Sequence, residues 1–364
     1  MAPFILFRYW QSVVHAGLVG AVLVGCGVNA ADQPTRKKAG GTGKADLRAA
    51  APQWWSVIDT GPFISDTFQE SPGGAVAALK GIAVKVGAGR DATLVFDTEL
   101  LAWRAGFDGA VMLEGSAWGG NNTGTSHFPI SSDSFYFMND PAGLGWAVNG
   151  NWADPRSIKS GPLPHAVGRY KGLYRHGFEV VMHYTVGGVK VLELPGIEVI
   201  DGIRVLTRTL NVAANPEVYF ELLVNEVPAA PGAALPLPGT KRGGETPADR
   251  MKKDVRVSLV GAPPGVSLKT SIEGRNTVAI ARGSAASRFK LVYAERAVPL
   301  ARISAAQDLV ALTRGGPGIF PQTFPVKGQL DPNAAKKTYA VDVIPLPAEN
   351  PWKSPPRFGG FDFL

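Results

Sequence analysis

The sequence has a single cysteine, Cys26, which lies in the N-terminal leader rather than in the part that we expect to fold. A disulfide bond needs two thiols, and zinc sites built on thiolates need at least two as well. We therefore expect the folded part to contain no disulfide, no thiolate zinc site and no cysteine nucleophile. The two-cysteine motif that attaches a c-type haem is absent for the same reason.

Histidine is also scarce, and the four that follow the leader are His127, His165, His176 and His183. No H-x-H or H-E-x-x-H pattern occurs, and the spacing of His176 and His183 predicts opposite faces of one strand. Asp133 and Asp140 offer oxygen ligands, but their spacing matches no known calcium loop. The sequence therefore predicts neither a metal site nor a cofactor.

Charged residues make up only 18% of the chain, whereas 45% of the residues are hydrophobic, which is the composition of a globular protein. The 44 glycines and 29 prolines indicate many turns and few long helices. The formal net charge is +7. Because the basic residues are mostly dispersed, and several fall in the N-terminal region, we do not expect nucleic-acid binding.

The N-terminal region predicts export. Residues 1–31 have the pattern of a signal peptide, since Arg8 precedes the apolar run Ala16–Gly25, which is too short for a permanent membrane anchor. Residues 32–53 are polar, small and rich in glycine, and we expect a flexible linker there. The predicted destinations are the periplasm, the outer membrane as a lipoprotein, or the extracellular space.

The leader contains two alternative cleavage sites. Residues 23–26 (Leu-Val-Gly-Cys) resemble a bacterial lipobox, in which Cys26 is lipidated and becomes the mature N-terminus. Residues 29–31 (Asn-Ala-Ala) instead offer small residues to an ordinary signal peptidase. We favour the lipoprotein because the single cysteine occupies the lipobox position. Contact with a membrane would then be limited to this N-terminal lipid.

Period-two alternation of apolar residues dominates residues 54–345, and it predicts a β-rich domain. Phe178–Thr185 alternates in this way, and Gly187-Gly188 predicts a tight hairpin turn into the next strand, as does Asp201-Gly202 further on. We expect an all-β fold, an antiparallel multi-sheet sandwich with long loops and a few short helices. Further strands are predicted at Ile82–Val86, Thr93–Thr98, Val189–Leu194, Ile197–Val199, Ile203–Val212, Val218–Val224, Val255–Val260, Thr277–Ala281, Phe289–Tyr293 and Thr338–Ile344. Short helices are predicted at Pro72–Leu79 and Ile303–Leu312.

Several blocks of sequence resemble one known family. They are Trp54-Trp55 with Gly61–Thr67, Lys80–Val86, Phe96–Leu101, Gly315–Pro317, Tyr339–Asp342 and Asn350–Trp352. Together they resemble domain of unknown function 6797, which is found in large secreted proteins of planctomycetes and verrucomicrobia. In that family the domain precedes a propeller that resembles sugar dehydrogenases, and often a cytochrome c domain as well.

This resemblance implies an N-terminal module without established catalytic residues. It also implies propeller and cytochrome c domains as docking partners, or an accessory role in a periplasmic haem-containing dehydrogenase system. Residues 346–364 are rich in aromatic side chains, and we expect them to be the start of a truncated, propeller-like downstream domain.

The stretch Glu114–Pro155 is the richest in candidate ligand-binding side chains, namely Trp118, Asn121, Asn122, His127, Trp146 and Trp152. Flat aromatic rings stack on the apolar face of a sugar, and amides hydrogen-bond its hydroxyl groups. This composition predicts a polysaccharide site. The alternative is a long irregular connection whose asparagines form turns and whose tryptophans fill the core.

The enzymatic alternative is a carbohydrate-active hydrolase or lyase that uses two carboxylates drawn from Asp97, Glu99, Asp108 and Glu114. A glycosidase holds two carboxyl groups roughly 5–10 Å apart, a distance that sequence does not show. Asp97 and Asp108 fit equally well as turn caps. No G-x-S-x-G elbow and no phosphate loop occur. We therefore expect a non-catalytic module that binds carbohydrate or docks other domains.

Overall fold

The computed structural model describes residues 59–113, 126–131, 133–215, 217–226, 250–270, 275–319, 322, 325 and 327–344. All described residues belong to one compact unit within Ala50–Leu364. Strands dominate these ranges, so the predicted all-β multi-sheet fold is confirmed. No helix among the described residues is long and apolar enough to cross a membrane.

The described strands number seventeen and are mostly short. In chain order they are β1 (Phe63–Gln69), β2 (Val76–Val86), β3 (Ala92–Asp97), β4 (Ala102–Asp108), β5 (Met112–Leu113), β6 (Ser126–His127), β7 (Phe135–Met138), β8 (Trp146–Val148), β9 (Gly168–His176), β10 (Glu179–Val186), β11 (Val189–Ile200), β12 (Ile203–Val212), β13 (Phe220–Glu226), β14 (Arg256–Val260), β15 (Val266–Thr270), β16 (Arg275–Ile280) and β17 (Ser287–Ala294). Three short 3₁₀ helices follow at Leu300–Arg302, Ala311–Arg314 and Ala334–Lys336.

These strands form three sheets. The seven-stranded sheet has the order β5-β6-β1-β2-β3-β4-β7, the six-stranded sheet has the order β14-β17-β12-β11-β10-β9, and the four-stranded sheet has the order β15-β16-β13-β8. Among the paired strands that the structure describes, β1 and β6 run parallel and the other neighbours are antiparallel. Many consecutive strands are neighbours in a sheet, which is what short connections favour.

Two tight turns fix the register of the six-stranded sheet. Gly187 and Gly188 both have positive φ angles, +52° and +82°, and Asp201 and Gly202 have +52° and +77°. Two consecutive residues in this region form the hairpin turn that matches the twist of paired strands. Both predicted hairpins, between β10 and β11 and between β11 and β12, are confirmed.

One large core cluster takes side chains from all three sheets. Phe137 of β7 stacks on Tyr293 of β17, with ring centroids 4.9 Å apart, so the seven- and six-stranded sheets face each other. Trp146 of the four-stranded sheet meets Tyr184 of β10 edge-on at 6.2 Å. Because inward and outward side chains alternate, the facing sheets bury one side of each strand in a common interior.

An ion pair is buried in this interior. The Arg208 Nε atom donates to the Glu193 carboxylate at 2.7 Å, and the two residues are 1% and 0% exposed. The hydroxyl of Tyr184 donates to the other carboxylate oxygen at 2.6 Å, and that of Tyr293 accepts from Arg208 at 3.0 Å. Burial, and next the charge of Glu193, hold the pKa of Tyr184 well above its ordinary value, so this phenol stays a neutral donor.

A segment that we call the strap, residues 299–317, crosses the outer face of the six-stranded sheet. Leu309 is fully buried in a cluster with Val181, Leu192 and Leu194 of that face. Asp308 accepts from Arg288 of β17 at 2.6 Å, and at the far edge the carbonyl of Pro317 accepts from β9. The strap therefore covers the middle of an otherwise open sheet face.

Three local predictions differ from the structure. The helix predicted at Pro72–Leu79 is wrong, because Val76 already begins β2 and pairs with β1, so sheet pairing overrides the local preference. The helix predicted at Ile303–Leu312 is mostly extended strap, with one 3₁₀ turn at its end. The strand predicted at Thr338–Ile344 is absent from this part of the chain, where Val343 makes only an isolated bridge to Gln329.

Candidate functional site

Three of the six predicted ligand-binding residues, Trp118, Asn121 and Asn122, lie outside the described residues. Trp146 is only 3% exposed and packs edge-on against Tyr184 and Phe220, so its ring is part of the hydrophobic core. His127, at the rim of the seven-stranded sheet, is also buried, and its Nδ1 atom lies 2.6 Å from the carbonyl oxygen of Phe128.

Trp152 is half-buried and keeps part of its surface open. Its indole N–H donates to Glu221 at 3.1 Å, while the guanidinium of Arg275 lies 5.0 Å from the ring centroid. One face of the ring is therefore already occupied by a cation. Of the predicted aromatic residues that the structure describes, Trp152 is the one that could still touch a ligand.

The three described carboxylates of the enzymatic alternative are each held by basic side chains. Arg104 donates to the buried Asp97 at 2.7 and 3.1 Å, and Asp97 also accepts the backbone N–H of Glu99 at 2.8 Å. Glu99 lies 3.5 Å from Arg156, and Asp108 is bound by Arg204 and Lys252. Asp97 thus caps the turn after β3, as the turn-cap alternative predicts. Glu114 lies outside the described residues.

The described residues contain no group of three His, Asp or Glu side chains close enough to hold a metal ion. The prediction that His176 and His183 share one strand is wrong, because a turn at Gly177 separates β9 from β10 and places one histidine on each strand. His183 instead stacks on Tyr174, with ring centroids 5.7 Å apart. This pair lies on the outer face of the six-stranded sheet, beside the strap.

A groove of about 460 Å³ runs along one side of the strap. We call it the strap groove; its lining includes Lys190, Leu192, Asn211, Ala213, Arg288 and the strap residues Asp308 and Val310. The side-chain amide of Asn211 donates to Asp308 at 3.3 Å, whereas its oxygen is buried and has no hydrogen-bond partner among the described residues. Short apolar side chains and a few hydrogen-bonding groups thus line the same groove.

Three cations lie next to the strap groove, at the hairpin end of the sheet. Arg169 of β9 is directly opposite Thr185 of β10, which is directly opposite Lys190 of β11. Lys171 is the extra residue of the bulge in β9, and its charge, like that of Lys190, acts on His183. All three cations are exposed, and none forms an ion pair within the described part of the chain. We call Arg169, Lys171 and Lys190 the cationic cluster.

Burial is the largest cause of a lowered pKa at His183, and the charges of Lys190 and Lys171 lower it further. His183 is therefore mostly neutral at pH 7. An anion bound beside it would oppose both lysine charges and raise its pKa again. The imidazole thus reports on the charge state of this face.

A second groove, of about 440 Å³, lies on the other side of the strap. Its lining includes Lys290, whose ammonium group is bound by Glu198 at 2.7 Å and by the hydroxyl of Ser304 at 2.6 Å. The Lys290 cation is therefore already satisfied by the protein and offers little charge to a ligand in the second groove.

Residues 327–344, which we call the terminal loop, expose several large apolar side chains. Leu330 is 79% exposed and Tyr339 is 72% exposed, and Val341, Val343 and Ile344 are exposed as well. The backbone of the loop is nevertheless fixed, because Asp331 accepts from Lys337 and from the N–H of Val341. Ordered apolar side chains in water are typical of an interaction surface.

Sequence reasoning missed the strap groove and the cationic cluster because it treated the basic residues as dispersed. The signal was present in the Gly187-Gly188 turn. This turn sets the register that places Lys190 opposite Thr185, and alternation then puts both on the outer face. The strap itself has no periodic pattern, so the sequence offered no means to place it.

A family model described as Domain of unknown function (DUF6797) matches residues 94–193. The match confirms the family that the sequence blocks resemble, and Phe96–Leu101 is the block that lies inside it. The matched stretch runs from β3 into β11 and includes the whole cationic cluster and His183. No curated protein and no solved structure matches the chain.

Proposed function

We propose that this chain is an exported, non-catalytic module that binds polysaccharide in the strap groove. The observation that carries the proposal is the groove itself, which has a volume of about 460 Å³ and lies between the strap and the outer face of the six-stranded sheet. Its volume lies within the range of roughly 300–1,000 Å³ that is usual for ligand sites.

The chemistry of the lining supports a sugar ligand. Val310 and Ala213, both exposed, offer apolar contact to the C–H face of a sugar ring, while Asn211 and Lys190 offer hydrogen bonds to its hydroxyl groups. The side-chain oxygen of Asn211 has no donor among the described residues, and a buried acceptor without a donor costs about 1–3 kcal/mol.

The test is binding of the full chain to an array of neutral and acidic plant and algal polysaccharides. Ala213→Trp places a bulky ring at an exposed position of the groove wall and should abolish binding. The matched control is Ala142→Trp, an exposed alanine in a separate loop, which should bind like the wild type. Failure of the whole array to bind would refute the proposal. Binding that is lost in Trp118→Ala or Trp152→Ala, but kept in Ala213→Trp, would move the site to the predicted aromatic stretch.

A second candidate function is docking of propeller and cytochrome c domains, which the terminal loop favours. Its exposed apolar side chains sit on a fixed backbone, so little conformational entropy would be lost when a partner covers them. The test is co-purification of the chain with a co-expressed propeller and cytochrome c domain pair. Leu330→Ser with Val341→Ser should abolish co-purification, whereas Ala213→Trp should not. Equal recovery of both variants would contradict docking through this loop.

A further inference from the structure

The cationic cluster points to a ligand with repeated negative charge. Arg169 and Lys190 flank Thr185 on three adjacent strands, so their Cα atoms are about 10 Å apart, or two strand spacings. Like charges held this close oppose folding unless something neutralises them. Within the described residues nothing acidic does so, whereas Arg288, at the other end of the strap groove, is paired with Asp308 at 2.6 Å.

We propose that the strap groove and the cationic cluster together bind an acidic polysaccharide, carrying carboxylate or sulfate groups, whose charges the cluster neutralises. This inference rests on the proposed function and narrows it to one class of polymer. Lys190 belongs to both features, because it lines the groove and also stands in the cluster. A polymer chain lying in the groove therefore contacts Lys190 and can reach the other two cations by continuing across the neighbouring strands.

The surroundings of the cluster favour sugar over another polyanion. The groove floor beside Lys190 includes Leu192, and the strap wall contributes the carboxylate of Asp308. Sugar hydroxyl groups can donate to that carboxylate, whereas the phosphate groups of a nucleic-acid backbone have no hydrogen to donate to it. The narrow groove also limits contact with a flat membrane surface, which would meet only the exposed cations.

The experiment compares dextran sulfate, polygalacturonate and neutral dextran by isothermal titration with the full chain. Dextran sulfate and dextran share one backbone, so the pair isolates the effect of charge, while polygalacturonate tests carboxylate as the source. The variant combines Arg169→Ala, Lys171→Ala and Lys190→Ala. The matched control combines Lys80→Ala, Lys253→Ala and Arg296→Ala, which removes three exposed and unpaired charges of the same types elsewhere on the described surface.

We expect at least one acidic polymer to bind and neutral dextran to bind far more weakly. Each lost contact should weaken binding about 5-fold, hence roughly 100-fold for the cluster variant and less than about 2-fold for the control. Higher salt should weaken binding, because these charges are exposed.

Four outcomes would overturn the inference. If neutral polysaccharides of the array bind and the cluster variant binds them normally, the proposed function stands and the acidic class is wrong. If no polysaccharide binds, both fail. If the cluster and control variants lose affinity equally, the cluster acts as general surface charge and not as a sugar site. The same conclusion follows if anionic vesicles or single-stranded DNA compete more strongly than any acidic sugar.

Discussion

Arg208→Met tests the contribution of the buried ion pair between Arg208 and Glu193 to stability. It leaves the Glu193 carboxylate fully enclosed, with the Tyr184 hydroxyl as its remaining described donor. Removing one partner of a buried ion pair typically costs about 3–5 kcal/mol. At about 2 °C per kcal/mol for a domain of this size, the melting temperature should fall by about 6–10 °C.

The cost should depend on pH in a definite direction. Without Arg208, the folded protein encloses a carboxylate that has no cation beside it among the described residues, and burial disfavours the charged form of such a group. A carboxyl group with a raised folded pKa binds protons on folding, so the destabilisation is largest at high pH and shrinks as the pH falls through the folded pKa. The loss of stability should therefore be smaller at pH 5 than at pH 8.

The assay is urea unfolding of the full chain, followed by tryptophan fluorescence at both pH values. The double variant Glu193→Gln, Arg208→Met removes both charges and should regain most of the loss. The control Arg302→Met breaks an exposed contact to Asp201 and should cost about 1 kcal/mol or less. A loss under about 1 kcal/mol for Arg208→Met, or a double variant as unstable as the single one, would refute a buried ion pair at this position.

Three further predictions concern the strap, the β3 turn and His183. Leu309→Ala should cost about 2–5 kcal/mol and expose the strap to limited proteolysis, since Leu309 is fully buried beneath it; unchanged cleavage would contradict the strap's docking. Asp97→Ala should cost about 3–5 kcal/mol in thermal unfolding, because it leaves Arg104 buried without its carboxylate; a cost below 1 kcal/mol would be inconsistent with that geometry. Affinity for dextran sulfate should rise as the pH falls from 7.5 to 5.5, because a bound anion raises the pKa of His183, and this pH dependence should be lost in His183→Asn. A pH profile that is identical in wild type and His183→Asn would remove the imidazole from the site.

The β pattern was predictable because alternation and turn residues act locally. Gly187-Gly188 and Asp201-Gly202 determine their hairpins from the positive φ angles that such turns require, and β12 lies where the alternation predicts it. Pro72–Leu79 failed because a short stretch of small residues carries no clear period, and pairing with β1 decided its conformation.

The candidate site was less predictable, because it depends on contacts between distant segments. Trp146 was predicted from the sequence to stack on a sugar ring, but it lies in the core. Whether a tryptophan faces solvent or the core is decided by the sheet that covers it. The strap groove exists only because residues near 308 cross strands whose residues lie up to about 120 positions earlier in the chain. Charge counting also missed the cationic cluster, since the cluster arises from register and not from sequence proximity.

Lysine footprinting locates the ligand most directly. The full chain is acetylated with and without saturating dextran sulfate, and mass spectrometry gives the modified fraction of each lysine. Lys171 and Lys190 should be protected by the polymer, while Lys80 and Lys253 should be labelled equally in both samples. Protection of Lys80 and Lys253 without protection of Lys190 would contradict polysaccharide binding at the strap groove.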